Sequence, residues 1–262
     1  MFEQKLNISC IIPTCDRSEY LREALDSVLK QTYEPYEIIV INNGKDKVHL
    51  SSELADKVQV YDIIPYAGVA QARNFGASMA TGHYLAFLDD DCQWGEKYLE
   101  NIVPVLFKGI DCVLSGQYVV ENGKFKPLRI PVGQLRQEVL LVQNPGAGGP
   151  NVVISKDLFF RVRGYDPKLP PSEDKAMILE VLRTGTEVSL LPENKVIIGV
   201  NEGQTLSTNY TKFIEGVFQF TRKYRFLMNR EQYFFNRWKI AKSRLAKLFW
   251  AVQYRVARFL RV

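Results

Sequence analysis

Residues 68–91, GVAQARNFGASMATGHYLAFLDDD, decide the architecture of this chain. Residues 69–80 read as a helix that Gly82 ends. Residues 83–88 read as a strand that runs directly into Asp89, Asp90 and Asp91. Like charges a few ångströms apart repel, and each raises its neighbours' pKa, so three consecutive aspartates need a reason to be there. A solvated acidic turn is one reason; a cation bound at the end of the strand is another.

The same alternation precedes this stretch. Residues 7–13 (NISCIIP) have the β-branched pattern of a buried strand. Ser18 precedes a helix-period stretch, with Tyr20, Leu21, Ala24, Leu25 and Val28 on one face and an end near Gln31. Residues 37–41 (EIIVI) form a second strand closed by Asn42-Asn43-Gly44, and residues 58–63 a third. Strands alternating with helices predict an open, mostly parallel α/β sheet flanked by helices, with right-handed crossovers. Ligands of such sheets bind beyond the carboxyl ends of the strands, where every polar signature of the first hundred residues falls.

The second half is more mixed. Residues 95–107 are predicted helical, with Pro104 kinking or ending the helix. Strands are predicted over 112–120, 151–155, 187–191 and 195–200, and helices over 156–163 and 173–183. The simplest partition is one domain over residues 1–220 and a helical tail over 221–262.

Composition is that of an ordinary globular protein: 46% hydrophobic and 24% charged residues in 262. The net charge of +5 hides an asymmetry, since residues 221–262 hold 12 Lys or Arg against Glu231 alone. That segment carries +11 and the first 220 residues −6, so the two meet different partners. Cys10, Cys15, Cys92 and Cys112 have no CxxC spacing and read as reduced thiols of a cytosolic protein. No apolar run reaches signal-peptide or membrane-spanning length.

Taken together, residues 68–91 resemble the core signature of the family-2 glycosyltransferases, whose fold is GT-A: an ARN-x-G helix start, a small-residue helix, and a strand ending in an acidic DxD. IIPTCDR (11–17) is similar to the family's first-strand motif and EIIVINNG (37–44) to its second. The resemblance covers roughly residues 7–200, and it implies a catalytic domain over 1–220 with a nucleotide-binding half over about 1–92 and an acceptor half over about 93–220. It implies inverting, metal-dependent transfer of a single sugar from a nucleotide-sugar to a hydroxyl acceptor.

Residue by residue, the resemblance assigns Pro13, Thr14, Cys15 and Asp16 to the nucleotide base, and Arg73 and Asn74 to the donor. It places Asp89 and Asp90 near the ribose and sugar, and gives the metal to Asp91, with Asp89 facing the same side. Hard oxygen ligands there suit Mn2+ or Mg2+. Arg73 pairing structurally with an acid on the sheet rim is the alternative. Two departures bear on the donor: Cys15 replaces a base-stacking aromatic, and Asn42 replaces the acid that accepts from uracil. UDP, GDP and dTDP all stay open.

Gly164-Tyr165-Asp166 followed by Glu173-Asp174 resembles the family's GGFDE…ED segment. The general base then falls on Asp174 and a supporting role on Glu173, with Ser172 as N-cap; first-turn acids favoured by the helix dipole are the structural alternative. Gly148, Gly149 and Asn151 in the loop NPGAGGPN (144–151) match the acceptor side, or form a plain glycine turn. No histidine stands near residues 196–201, and QxxRW is absent, which favours single transfer over polymerisation. His49 and His83 read as ordinary residues.

A single helix over residues 236–262 would align Trp238, Ala241, Leu245, Leu248, Phe249, Val252, Val256, Phe259 and Leu260, with arginines and lysines on another arc. Such a helix lies in a membrane interface, or packs on the domain or a second copy. The expectation is a cytoplasmic enzyme peripheral on the inner membrane face, with a lipid-linked or cell-surface polysaccharide precursor as acceptor. No nucleic-acid-binding motif accompanies the charge. The rivals are a non-catalytic nucleotide-sugar or lipid-carrier binding module and a nucleotidyltransferase. The latter usually carries a glycine-rich loop where PTCDRSEY stands.

Overall fold

The structure, a computed structural model, describes residues 5–121, 123–130, 133, 135–199 and 210–259. Strand β1 (Ile8–Thr14) is buried along its whole length and leads to helix α1 (Ser18–Leu29). There follow β2 (Glu37–Asn42), the single turn α2 (Ser52–Ala55), β3 (Val58–Asp62), α3 (Val69–Met79) and β4 (Tyr84–Phe87). These four strands are parallel in the order β3-β2-β1-β4.

Alternate residues of β1 serve two cores. Ile11 joins Ile39, Ile41, Ala72, Ala77 and Phe87 on the face covered by α3. Ile8, Cys10 and Ile12 join Leu21, Leu25, Val28, Leu99 and Ile102 on the other. Helix α3 lies close on the sheet because Gly76 meets Ile11; a Cβ there would fall 2.5 Å from Ile11 Cγ2. A mid-helix glycine costs about 1 kcal/mol. Burying one isoleucine contributes about 1.5–3 kcal/mol, so the close approach wins.

Beyond β4 come β5 (Cys92–Trp94), α4 (Tyr98–Leu106), β6 (Cys112–Glu121), β7 (Lys124–Arg129) and α5 (Gln137–Leu140). A 3-10 turn at Gly149–Asn151 then leads to β8 (Val152–Ser155), α6 (Lys156–Arg161), α7 (Glu173–Arg183) and β9 (Val188–Ile198). Strands β4 and β6 point the same way, and β8 inserts between them antiparallel to both. Strand β9 runs parallel to β6, while β5 and β7 run antiparallel to their neighbours. The result is an open, mostly parallel sheet flanked by helices.

Several local expectations are corrected. Helix α1 begins at Ser18 itself, and Tyr20, expected on its buried face, is 38% exposed. Residues 188–198 are one strand, not two. Opposite the junction of Ser115 and Gly116 the register shifts, and Gly116, lacking a Cβ, leaves room for the Pro192 carbonyl. Strands β5 and β7 were not anticipated: β5 has three residues, and β7 (KFKPLR) has no buried face to give it a period. Val200, Asn201 and the C-terminal Leu260, Arg261 and Val262 lie outside the described residues.

The expected single helix over 236–262 is also two elements. After α8 (Tyr210–Lys223) and a 3-10 turn (Arg225–Leu227), α9 (Arg230–Lys239) ends and α10 (Arg244–Phe259) begins afresh. The Ser243 hydroxyl accepts from the Ala246 amide at 3.1 Å, capping the new helix, and Ala241 is buried at the bend. Helix α8 spans the point where the charge changes sign. Among the described residues no helix is long and apolar enough to cross a membrane. All four cysteines are free.

Candidate active site

The aspartates at the end of β4 diverge. Asp90 turns inward, only 6% exposed, accepting from the Thr14 hydroxyl at 2.8 Å and from Arg17 at 3.4 Å. Burial pushes its carboxyl up to about 6. Asp91 accepts from the same Arg17 guanidinium at 3.3 Å, and burial, then the charge of Asp89, raises it. Asp89 is paired elsewhere, with Arg73. Two arginines, one from each side, thus hold the cluster together.

Asp89, Asp91 and Cys92 bring their side-chain ligand atoms within 4.8 Å of one another. The Cys92 thiol donates to Asp91 at 3.3 Å, and burial pushes it well above the ordinary thiol range. The two hard carboxylates of this cluster, Asp89 and Asp91, suit Mn2+ or Mg2+.

Arg73, in the first half of α3, is 3% exposed. Its guanidinium donates to Asp89 at 2.5 Å and to Asp174 at 3.0 Å, and lies 5.1 Å from the centre of the Tyr165 ring. Gly149 makes room for it: a Cβ there would fall 1.9 Å from the nearer guanidinium nitrogen. Helix α3, the acidic strand end, the glycine loop and α7 therefore converge on one side chain. Asn74 beside it accepts from the Tyr165 amide at 2.9 Å and donates to its carbonyl at 2.7 Å, bracing the 164–166 turn.

Glu173 and Asp174 open α7. Ser172 occupies the N-cap position but its hydroxyl caps nothing, because its backbone is not extended (φ −112°, ψ 8°). Glu173 is 4% exposed, has one carboxylate oxygen without a partner, and is pushed up to about 7 by burial and by Asp174. Asp174 retains 22% side-chain exposure. Its carboxyl is raised by burial, against the opposing pull of Arg73.

Of the residues expected at the nucleotide, Pro13 and Thr14 are buried at the end of β1, and Cys15 is half-buried with its thiol 3.6 Å from the Asn43 carbonyl. Asp16 has a left-handed backbone (φ 54°) and accepts from the amides of Asp46 and Lys45 and from the Tyr66 hydroxyl. Those bonds, the Asp46 amide foremost, hold its carboxyl below the usual range. The Asn42 amide is fully engaged: it donates to Asp62 at 2.8 Å and to the Asp46 carbonyl at 3.0 Å, and accepts from the Gly44 amide. Of the residues expected at the acceptor, Gly148 and Gly149 are buried. The fully buried Asn151 accepts from the Gly148 amide and donates to the Ser115 and Gly146 carbonyls. It holds the loop in shape.

Sequence reasoning missed Arg17, Tyr66, Asp62 and Tyr165. Two of them left a signal: Tyr165 stands within the Gly164-Tyr165-Asp166 motif, and Arg17 ends the first-strand motif, where three adjacent acids need a nearby cation.

This geometry coincides with a family model. The description "Glycosyl transferase family 2" matches residues 9–161, more than half of the chain. The chain belongs to glycosyl transferase family 2. An uncharacterized glycosyltransferase of Rickettsia felis is 27% identical over 199 residues, covering 69% of this chain but 33% of that protein. The chain thus spans about a third of that relative. Among solved structures, S. aureus TarS with UDP-GlcNAc gives a TM-score of 0.64 at 16% identity, covering 96% of this chain and 90% of that one. The mannosyltransferase PcManGT from Pyrobaculum calidifontis, with GDP-Man and Mn2+, gives 0.62 at 16% identity, covering 97% and 81%. These likenesses establish the GT-A fold of this family-2 chain.

Proposed function

We propose that this chain is an inverting glycosyltransferase that moves one sugar from a metal-bound nucleotide-sugar to a hydroxyl acceptor. The observation that carries the reading is the position of Arg73, which joins Asp89 of the acidic strand end to Asp174 of the ED pair. One guanidinium thereby ties the donor end of the site to the candidate base.

Asp174 takes the proton of the acceptor hydroxyl as that oxygen attacks the anomeric carbon, and the nucleoside diphosphate leaves from the opposite face. It is preferred to Glu173 because an acceptor must reach the base, and Asp174 is the more exposed. Arg73 orients Asp174 and offers positive charge beside the donor. Asp91 and Asp89 would hold Mn2+ or Mg2+, which, when bound, offsets the charge of the departing diphosphate. That two fold relatives were solved with UDP-GlcNAc and with GDP-Man and Mn2+ supports a nucleotide-sugar donor here. The base stays open, since Cys15 offers no aromatic face and Asn42 is engaged with its neighbours.

The test is calorimetric binding of UDP, GDP and dTDP with and without Mn2+, followed by turnover of the matching nucleotide-sugars with NMR of the product's anomeric configuration. Metal-dependent binding of one nucleotide and an inverted product are expected. Retained configuration would remove the single-base mechanism.

A further inference from the structure

Helix α10 has three faces, and only one of them is covered. Trp250 packs on Phe234 and Tyr233 of α9, with ring centres 5.8 and 6.2 Å apart, and Tyr254 on Phe235 at 5.5 Å. A second face carries Leu245, Leu248, Phe249, Val252, Val256 and Phe259, spaced by three or four residues and all exposed, Leu245 by 81% and Phe259 by 79%. No residue of α10 is buried. Arg244, Lys247, Arg255 and Arg258, all exposed, line one flank of that apolar stripe.

We infer that α10 docks this stripe into an anionic lipid surface. An apolar stripe about 100° wide bordered by cations is the build of a helix lying in a bilayer interface, its apolar side chains below the headgroups and its basic flank against their phosphates. A second copy of the chain is the less fitting occupant. Residues 221–262 carry +11, and pairing two stripes would bring two basic flanks together. The platform under α10 is fixed. Asn236 of α9, 1% exposed, donates to the Leu141 carbonyl at 2.8 Å, and Gln232 donates to the Glu138 carbonyl at 3.0 Å. These contacts anchor α9 to the segment leading into the glycine loop of the candidate site. Helix α8 rests on Pro170 and Pro171 just before Glu173, where a Cβ on Gly216 would fall 2.5 Å from Pro171 Cδ. The docking face is thus connected through α9 to the glycine loop, which the proposed function places at the acceptor.

The test is co-sedimentation of the full chain with vesicles of phosphatidylcholine alone or mixed with phosphatidylglycerol, without donor or acceptor. The result therefore stands apart from the transferase reading. Binding to the mixed vesicles is expected, weakened by salt and at least about tenfold weaker to neutral ones. The double variant Leu248→Glu/Phe249→Glu should lose binding. Replacing Arg244, Lys247, Arg255 and Arg258 by Gln should remove the preference for anionic lipid. Both variants alter exposed side chains only, and an unchanged unfolding midpoint confirms their fold. Equal binding to both vesicle types, or no binding to either, would overturn the inference. So would a wild-type dimer in sedimentation velocity that the double variant converts to monomer.

Discussion

Arg73 and Asp174 stand 101 residues apart in sequence and are joined by a 3.0 Å ion pair, while the other arm of the same guanidinium holds Asp89. A cation that is 3% exposed is tolerated only because two carboxylates compensate its lost hydration. Arg73→Ala would leave both acids facing each other without a counter-charge. It should destabilise the fold by about 3–5 kcal/mol in urea unfolding. Arg73→Lys keeps the charge but not the fork that reaches two partners, and should cost less stability while still lowering turnover. An Ala variant as stable as the parent would mean that the pair does not hold these elements together.

Asp174 and Glu173 should separate in kinetics. Asp174→Asn removes the proposed base and should lower kcat by about 10²–10⁴ with nucleotide affinity nearly unchanged. Glu173→Gln should lower kcat less, because its carboxylate is 4% exposed and out of an acceptor's reach. The reverse order, with Glu173→Gln the more damaging, would transfer the base role to Glu173.

The raised carboxyl of Glu173 also predicts a pH dependence of stability. A carboxyl held at about 7 in the folded state, against an ordinary 4.5, binds its proton more tightly folded than unfolded. The folded state is therefore favoured as pH falls from about 7 to 4.5, and that gain is lost as pH rises through the folded value. Asp16, Glu37 and Asp166 are held below their ordinary values and act with the opposite sign, but only at lower pH. Lys175 and Lys239, held down by burial to about 7 and about 8, oppose this gain as pH falls from 8. In urea unfolding of the metal-free protein the Glu173 contribution is therefore read as the difference between the parent and Glu173→Gln, on the order of 2 kcal/mol in the parent's favour on going from pH 8 to pH 5.5. An identical slope in the variant would assign the effect elsewhere.

The parallel half of the sheet was legible because each of its strands has a periodic or fully apolar pattern. The 68–91 stretch also announces its own helix, strand and acidic end. What stayed hidden depends on partners distant in sequence. That Asn42 is engaged by Asp62, and Asn151 by the Ser115 carbonyl, follows from strand register and loop packing, which no local period encodes. The break between α9 and α10 was missed for a different reason. The apolar spacing continues through Ala241, so only the Ser243 cap marks a second helix.

Gly149→Ala tests the loop that frames Arg73. The added methyl would fall 1.9 Å from a guanidinium nitrogen that two carboxylates pin in place, so the loop or the arginine must shift. A displacement of about 1 Å in a positioning group commonly costs about 10²-fold in rate. Turnover should fall on that order. Parent-like kinetics would show that the loop yields instead.

Two classes of ligand atom lie beside Asp89. Asp91 offers a carboxylate, whereas the Cys92 thiol is buried and donates a hydrogen bond to Asp91. If hard oxygen ligands hold the metal, Asp91→Asn should weaken Mn2+-dependent nucleotide binding by about 10-fold or more, since one charge at the cation is gone. Cys92→Ala should change that affinity by no more than about threefold, because it removes only a thiol–carboxylate bond. Calorimetry with Mn2+ and with thiophilic Cd2+ distinguishes the outcomes. If Cys92→Ala abolished metal-dependent binding, or Cd2+ bound far more tightly than Mn2+ to the parent but not to this variant, sulfur would be a ligand and the two-carboxylate site would be wrong.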